Sequence, residues 1–342
     1  MATSAHSRAG TLLPSLKRDR AAADGLLRLM AGGEIPTPRI EGDASESKRV
    51  TSLSVVVPAR NEEQNIEDLL LELERALERV AHLRFLEVLV VDDGSTDRTF
   101  EIASERATRV IRHPFGLGNG AAVKRGIREA RGEWILLLDG DGQHPPSAIP
   151  DLLRLGETHD LVVASRGGSG GSMHRNLANR VYNAFGSYVS GTRIPDLTSG
   201  FRLVRADVAK DLVWLLPNTF SYPTTITLSM LRGGYSVGFV PFQVRARRGK
   251  SHIHIWKDGS RFFLIILRIA IFYAPLRVFG PLSLLALALG FGWYGYTWCT
   301  EGRFTNMALL LVGQAMVLFA LGLVSEQVAT LRFQRLARTD ER

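Results

Sequence analysis

Cysteine is nearly missing from this chain: Cys299 is the single one in 342 residues. A lone thiol excludes an internal disulfide framework and any zinc site built from several cysteines, and it argues against thiol redox chemistry. No long apolar run follows the early basic residues, so a secretory leader is not expected. Internal repeats are lacking. So is a Walker phosphate loop, because the glycine-rich Gly116–Gly120 has neither the spacing nor the terminal Lys-Ser/Thr pair. Acids are in deficit, with 34 Asp and Glu against 42 Lys and Arg, a net charge of +8. Such an excess suits nucleic acid, an anionic membrane face or a phosphorylated substrate, and alone it selects none of them.

Apolar material is ample. Hydrophobic residues make up 45% and charged residues 22%, and the mean hydropathy of +0.04 is high for a soluble enzyme. That surplus is local. Residues 1–50, rich in Ala, Ser, Gly and Arg, read as a mostly disordered tail with at most a short amphipathic helix over Ala21–Met30. From Leu53 short apolar runs alternate with amphipathic stretches. Strands are expected at 54–58, 87–92, 109–112, 134–139, 161–165 and 235–246, and helices at 65–80, 98–106, 121–130, from 146, and at 175–189. This alternation implies βαβ units and a mainly parallel α/β sheet over about 51–255, with ligands at the carboxyl ends of the strands.

Beyond that domain the composition shifts. The region 256–278 is apolar with Arg261, Arg268 and Arg277 interspersed, which suits an interfacial helix whose arginines snorkel to headgroups. Residues 279–298 carry no charge, and about 20 residues at a rise of about 1.5 Å cross a hydrocarbon layer of about 30 Å. After a polar turn with Glu301, Gly302 and Arg303, a second uncharged run covers 306–324, so a transmembrane hairpin is expected. Arginines crowd the outer flanks, including the tail 325–342, and only Arg303 marks the turn. The positive-inside rule then puts the sheet domain and both termini in the cytoplasm, in a multi-pass arrangement of two crossings in the inner membrane.

Several strand ends carry chemistry. DGDGQHPP at 139–146 sets Asp139 and Asp141 one glycine apart after an apolar strand. Two such acids converge on a divalent cation, Mg²⁺ or Mn²⁺ from the oxygen donors, with the Gln143 amide as a further ligand. His144 is read as structural or outside the ligand set. Asp92 and Asp93 close another strand, where carboxylates accept from a base or a ribose or else face solvent in a capped turn. Lys124, behind the glycine-rich turn, is a candidate phosphate contact. Glu62 either faces the crevice or serves a helix N-terminus.

These segments resemble glycosyltransferase family 2, in its dolichol- or polyprenyl-phosphate sugar transferase branch. The resemblance rests on VVPARNE at 56–62, VVDDGSTD at 90–97, DGDGQHPP at 139–146 and TSGFR at 198–202, and covers about residues 53–260. The hairpin is similar to that of membrane-anchored bacterial lipid-carrier transferases. The resemblance implies a GT-A fold, a nucleotide-diphosphate sugar donor (UDP- or GDP-linked), a polyprenyl phosphate acceptor and inversion at the anomeric carbon. By position it implies that Pro58, Arg60, Glu62, Asp92 and Asp93 line the nucleotide pocket, while Asp139, Asp141 and Gln143 serve the metal and diphosphate. Arg166, Arg202 and Ser251 would lie near the reacting phosphates, and Arg175 and Arg180 would reach the acceptor. RRGKS at 247–251 departs from the family's usual basic loop, and related hairpin enzymes often form homo-tetramers.

Two other readings stand beside this one. A processive polysaccharide synthase shares the fold, but Gln-x-x-Arg-Trp is missing and two spans are too few for a polymer channel. A non-catalytic membrane scaffold would have no need of both Asp139 and Asp141. Nucleic acid is not expected as a partner, because the arginines cluster around the membrane segments and the expected phosphate site.

Overall fold

A computed structural model of the chain describes residues 49–80, 82–166, 173–218, 221–243, 267–268, 270–303 and 305–337, without the side chains of 173–178 and 332–337. The expected tail up to residue 48, the glycine-rich loop at 167–171, the RRGKS segment with Ser251, and 256–266 of the interfacial region lie outside these residues.

Seven strands form one sheet: β1 (Ser52–Ala59), β2 (Phe85–Asp92), β3 (Arg109–Arg112), β4 (Trp134–Leu137), β5 (Leu161–Arg166), β6 (Arg202–Arg205) and β7 (Val237–Phe242). Their order is β3-β2-β1-β4-β6-β5-β7. Only β6 runs against its neighbours, pairing antiparallel with both β4 and β5. The parallel strands β1, β2 and β3 are each followed by a helix: α1 (Ile66–Glu78), α2 (Thr99–Arg106) and α3 (Asn119–Glu129). Then come α4 (Ile149–Gly156), α5 (Met173–Ser190), α6 (Ala206–Leu212) and α7 (Tyr222–Arg232). The expected mixed, mostly parallel sheet is thus present. The strand β6 was not expected, because its four residues begin and end on arginine and show too short a run for a period of two to register.

Strand alternation builds the two cores. Val55 and Val57 of β1 join Leu136 and Leu138 under α1 and α4, while Val56 joins Ile135 and Leu137 under α3 and α7. Both faces are therefore covered, and β4 and the Val55–Val57 stretch of β1 read as unbroken apolar runs. Where α3 crosses β1 there is no room for a side chain: a Cβ on Gly126 would lie 2.2 Å from Val56 Cγ1.

Helical residues at 270–273 lead to a break at Ala274, after which α8 (Pro275–Glu301) and α9 (Asn306–Ala337) pack as a hairpin. Over 275–301 and 306–331 they are long and apolar enough to cross a membrane, and only 11% and 17% of their most apolar windows are buried. The first helix starts four residues before 279, and the second continues past 324, so the expected basic tail begins as helix. Among the described residues these are the only two such helices, and the anchor is a single hairpin.

Gly126→Val is expected to lower the unfolding midpoint of the detergent-solubilised protein. Overpacking costs about 1–3 kcal/mol, and helix propensity returns less than about 1 kcal/mol. An unchanged midpoint would show that α3 can move off β1 freely.

Candidate active site

The carboxyl ends of β1, β2 and β4 are tied together by backbone bonds. Asp93 N donates to Ala59 O at 2.9 Å and Gly140 N to Pro58 O at 3.2 Å. Asn61, at a φ of 55°, donates its N–H to Ser95 Oγ at 3.0 Å and accepts from Thr96 N at 2.9 Å. Glu62 N donates to Thr99 Oγ1 at 2.8 Å, and the Glu62 carboxylate accepts from Asn65 Nδ2 at 2.7 Å. Pro58 itself is buried within β1, whereas Arg60 is exposed and lies over Gly116, so a Cβ there would meet Nη1 at 2.2 Å.

The two acids that end β2 have separate tasks. Asp92 is fully buried. Its Oδ1 accepts from Ser95 N at 3.0 Å, and Arg112 Nε lies 3.1 Å from Oδ2 as an ion-pair neighbour but out of line for a hydrogen bond. Asp93 turns the other way: it accepts from His113 Nδ1, Leu117 N and Gly118 N, each at 2.8 Å. Those backbone N–H groups of the glycine-rich turn are thus spent on a carboxylate. Lys124 points to Asn218 Oδ1 at 2.7 Å and lines a cavity of about 380 Å³ with His113, Leu117 and Arg128. Burial and the neighbouring Arg128 push its pKa down.

After β4, Asp139 is half-buried and stands against residue 200, where a Cβ would come within 2.3 Å of Oδ2. Only glycine leaves that carboxylate its position. Tyr222, the first residue of α7, donates to Asp139 Oδ1 at 3.4 Å, and burial, then the Asp139 charge, pushes its phenol pKa well up. Asp141 Oδ1 accepts from Gln143 N at 3.1 Å, closing a tight turn through Gly142 at a φ of +69°. His144 stacks against Phe201 and Phe242, with centroids 5.5 and 5.8 Å away. Burial pushes its pKa down, despite Asp139 and Asp141, and its Nδ1 has no partner. That placement agrees with a structural histidine.

Two arginines follow different rules. Arg166 ends β5 in a fork on Asp196, with Nε to Oδ2 at 2.7 Å and Nη2 to Oδ1 at 2.9 Å, and it also reaches Thr198 Oγ1. Hydrogen bonding to Asp196 raises its pKa against the cost of burial, and the Asp139 charge adds to this. Arg202 was expected at the reacting phosphates, but the structure places it fully inside the core. Its donors go to Ser199 O, to Pro223 O at 2.7 Å and to Thr227 Oγ1 at 3.2 Å. Burial pulls its pKa to about 10, so it keeps its proton at neutral pH. As folded, it presents no face to the crevice, because its position on β6 turns it inward between the sheet and α7. Arg180 is exposed on α5, and Arg175 is on the same helix with its side chain outside the described residues.

The structure therefore places Pro58, Asp92, Asp139, Asp141, Gln143 and Arg166 at the ends of neighbouring strands, with Asp93 bonded under the adjacent loop and Arg202 buried near Asp139, whereas Lys124 faces a separate cavity. Sequence reasoning missed Tyr222 and Asp196. Asp196 sat in view two residues before TSGFR, whereas Tyr222 opens a helix outside every motif. For a metal, Asp139 and Asp141 supply hard oxygens, and among the described residues no group of three or more His, Cys, Asp or Glu could hold an ion. A two-carboxylate site of this kind fits Mg²⁺ or Mn²⁺, which complete their shells with substrate phosphate and water.

The Glycosyl transferase family 2 profile matches residues 54–213, and the GtrB C-terminal hairpin profile matches 274–331. Glycosyltransferase AglJ of Haloferax volcanii is 26% identical over 307 residues, covering 85% of this chain and 98% of that protein. A dolichol-phosphate mannosyltransferase of Pyrococcus furiosus is 34% identical over 59% of each chain, so the match spans less than two thirds of that relative. An undecaprenyl-phosphate 4-deoxy-4-formamido-L-arabinose transferase of Photorhabdus laumondii is 26% identical, over 82% of this chain and 90% of its own. Among solved structures, glucosyl-3-phosphoglycerate synthase of Mycobacterium tuberculosis, in complex with Mn²⁺, UDP and phosphoglyceric acid, superposes with a TM-score of 0.52. It is 20% identical over 66% of this chain and 80% of that one, a likeness of fold.

Burial alone would raise the pKa of Asp196, but the Arg166 hydrogen bonds and charge outweigh it and hold the carboxyl below its ordinary value of 3.8. Stability from the pair is thus fully present above that value and is lost as pH falls through the lower, folded one. Asp196→Asn is expected to melt below wild type at pH 7, with the gap narrowing below about pH 4. Thermal melts across that range check it, and a gap independent of pH would overturn it.

Proposed function

From the premise that this chain is a family 2 glycosyltransferase whose catalytic domain is joined to a GtrB-type hairpin, we propose that it moves a sugar from a nucleotide diphosphate to a polyprenyl phosphate. The donor is a UDP- or GDP-sugar, the transfer inverts the anomeric carbon, and it takes place at the cytoplasmic face of the membrane. One observation carries this reading: the strand end that bears Asp139 and Asp141 belongs to the same folded unit as a membrane hairpin. The acceptor class comes from the relatives, two of which are named for dolichol-phosphate and undecaprenyl-phosphate transfer.

A phosphate monoester is already an anion at neutral pH, so attack on the sugar carbon needs no strong general base. Repulsion between this nucleophile and the donor diphosphate is the obstacle. A divalent ion, when bound by Asp139 and Asp141 with Gln143 beside them, supplies Lewis-acid neutralisation of the departing diphosphate. Asp92, fully buried, accepts from Ser95 N and pairs with Arg112, and so shapes the turn that follows β2 beside the nucleotide site. Arg60 stands at the mouth as a cation for the nucleotide. Arg166, pre-oriented by its fork on Asp196, adds positive charge near Asp139 where negative charge gathers during transfer. Arg202 serves as a positioning residue, bracing α7 behind Asp139. The hairpin keeps the enzyme where the lipid phosphate sits, because a polyprenyl tail leaves the bilayer only at a cost of about 0.8 kcal/mol per CH₂ exposed.

Purified protein incubated with polyprenyl phosphate and a panel of radiolabelled UDP- and GDP-sugars is expected to yield a polyprenyl-phosphate monosaccharide from one of them. A polymeric product, or no lipid product from any pair, would overturn the proposal. Asp141→Ala is expected to cut the rate by about a hundredfold or more, and EDTA to abolish it; equal rates in EDTA and Mg²⁺ would remove the metal role. Gly200→Ala is expected to raise the metal concentration needed for half-maximal rate, by displacing Asp139.

A further inference from the structure

Between Met307 and Leu331 the only charged side chain is Glu326. Glu326 lies two residues past the uncharged run 306–324, where α9 reaches the catalytic domain, so its contacts are with that domain rather than with the hydrocarbon layer. Glu326 has two partners. Its Oε1 pairs with Arg232 Nη2, and its Oε2 accepts from Leu276 N at 3.3 Å. Leu276 lies in the first turn of α8, whose N-terminal N–H groups favour a negative charge, and Arg232 is the last residue of α7, whose C-terminal carbonyls favour a positive one. The pair thus joins three helices, the C-terminal end of α7, the N-terminal end of α8 and the body of α9.

The other end of α7 is at the candidate active site. Over its 11 residues, roughly 16 Å long at the usual helical rise, this helix is fixed at every turn. Tyr222 meets Asp139, Pro223 O and Thr227 hold Arg202, and Thr224 meets Tyr182 at 3.0 Å. Further along, Tyr273, just before the hairpin, bonds Ser229 Oγ at 2.8 Å and donates to Thr225 O at 3.1 Å. A second contact runs in parallel, where Tyr188 of α5 donates to Arg277 O at 2.8 Å and Arg277 returns a bond to Tyr188 O.

We propose that the Arg232–Glu326 pair is a docking latch that sets the register of the catalytic domain on its membrane hairpin, with α7 carrying that register to Asp139. The hairpin is then part of the positioning of the site as well as its anchor. An apolar hairpin needs no carboxylate to stay in a bilayer. With the two side chains 33% and 23% exposed, the pair adds little net stability, and registry is the best-attested use of such pairs. Glu326 and Arg232 are positioning residues, since neither touches the reacting groups. Their effect on the acceptor rests on the proposed lipid-phosphate reaction, whereas their effect on docking does not.

The test uses the full chain in nanodiscs, with Arg232→Glu, Glu326→Arg, the double swap, and the milder Glu326→Gln in case a reversed charge prevents folding. Hydrogen exchange is read over α7, and KM is read separately for polyprenyl phosphate and for the nucleotide sugar. Each single variant is expected to speed exchange in the last turn of α7 and to raise KM for the lipid roughly fivefold, with KM for the donor unchanged. The double swap is expected to restore both only in part, because an arginine at 326 cannot accept from Leu276 N and the exchanged charges oppose the two helix ends. Single variants that exchange as wild type does, or a double swap no better than its parents, would overturn the latch. A wild type that transfers nothing to lipid phosphate would overturn the proposed reaction alone, and hydrogen exchange would still decide the latch.

Discussion

Burying the guanidinium of Arg202 within reach of the charge of Asp139 is the constraint from which the arrangement of the site follows. A cation removed wholly from water must be repaid in hydrogen bonds and nearby negative charge. Carbonyls of Ser199 and Pro223 supply the first, and the charges of Asp196 and Asp139 favour the charged form. To satisfy Arg202 the chain must bring the turn before β6 and the first turn of α7 onto one point. That same convergence sets Tyr222 against Asp139 and leaves residue 200 without space for a side chain. The order around the acid pair is thus a by-product of solving one buried charge.

The loops at the strand ends show a similar economy. Asp93 takes both backbone N–H groups that the glycine-rich turn offered, so that turn is shaped by a resident carboxylate instead of a visiting phosphate. Arg166 is held by Asp196 before any substrate arrives. Groups whose orientation is fixed in advance need less reorganisation when charge develops, which is the condition for electrostatic assistance in a transfer between two anions. The proposed latch at Glu326 extends the same logic to the bilayer, since the height and tilt of the crevice matter only if something rigid connects it to the anchor.

Much of this was legible in the residues. Apolar runs over 54–58, 87–92 and 134–139 announced the central strands because both faces of a parallel sheet are buried. The charge-free runs of the hairpin announced a membrane anchor through composition and length alone, and Asp139 and Asp141 announced the acidic end of β4. The strand β6 was hidden, because four residues with arginine at both ends look like a polar turn. Tyr222 was hidden too, since nothing local distinguishes a tyrosine that opens a helix beside a carboxylate from one that covers a surface.

The roles of Arg202, Asp93 and Lys124 separate what a chain states locally from what folding decides. Sequence determined that these were charged residues beside motifs, and it also fixed most strands along the chain, the acid pair after β4 and the two membrane-crossing helices. Tertiary structure alone decided which way each charge faces: Arg202 into the core, Asp93 under a loop, Lys124 to an outer cavity. Direction depends on partners far away along the chain, among them Pro223, Leu117 and Asn218, and no local pattern can specify a neighbour that only the folded sheet brings near.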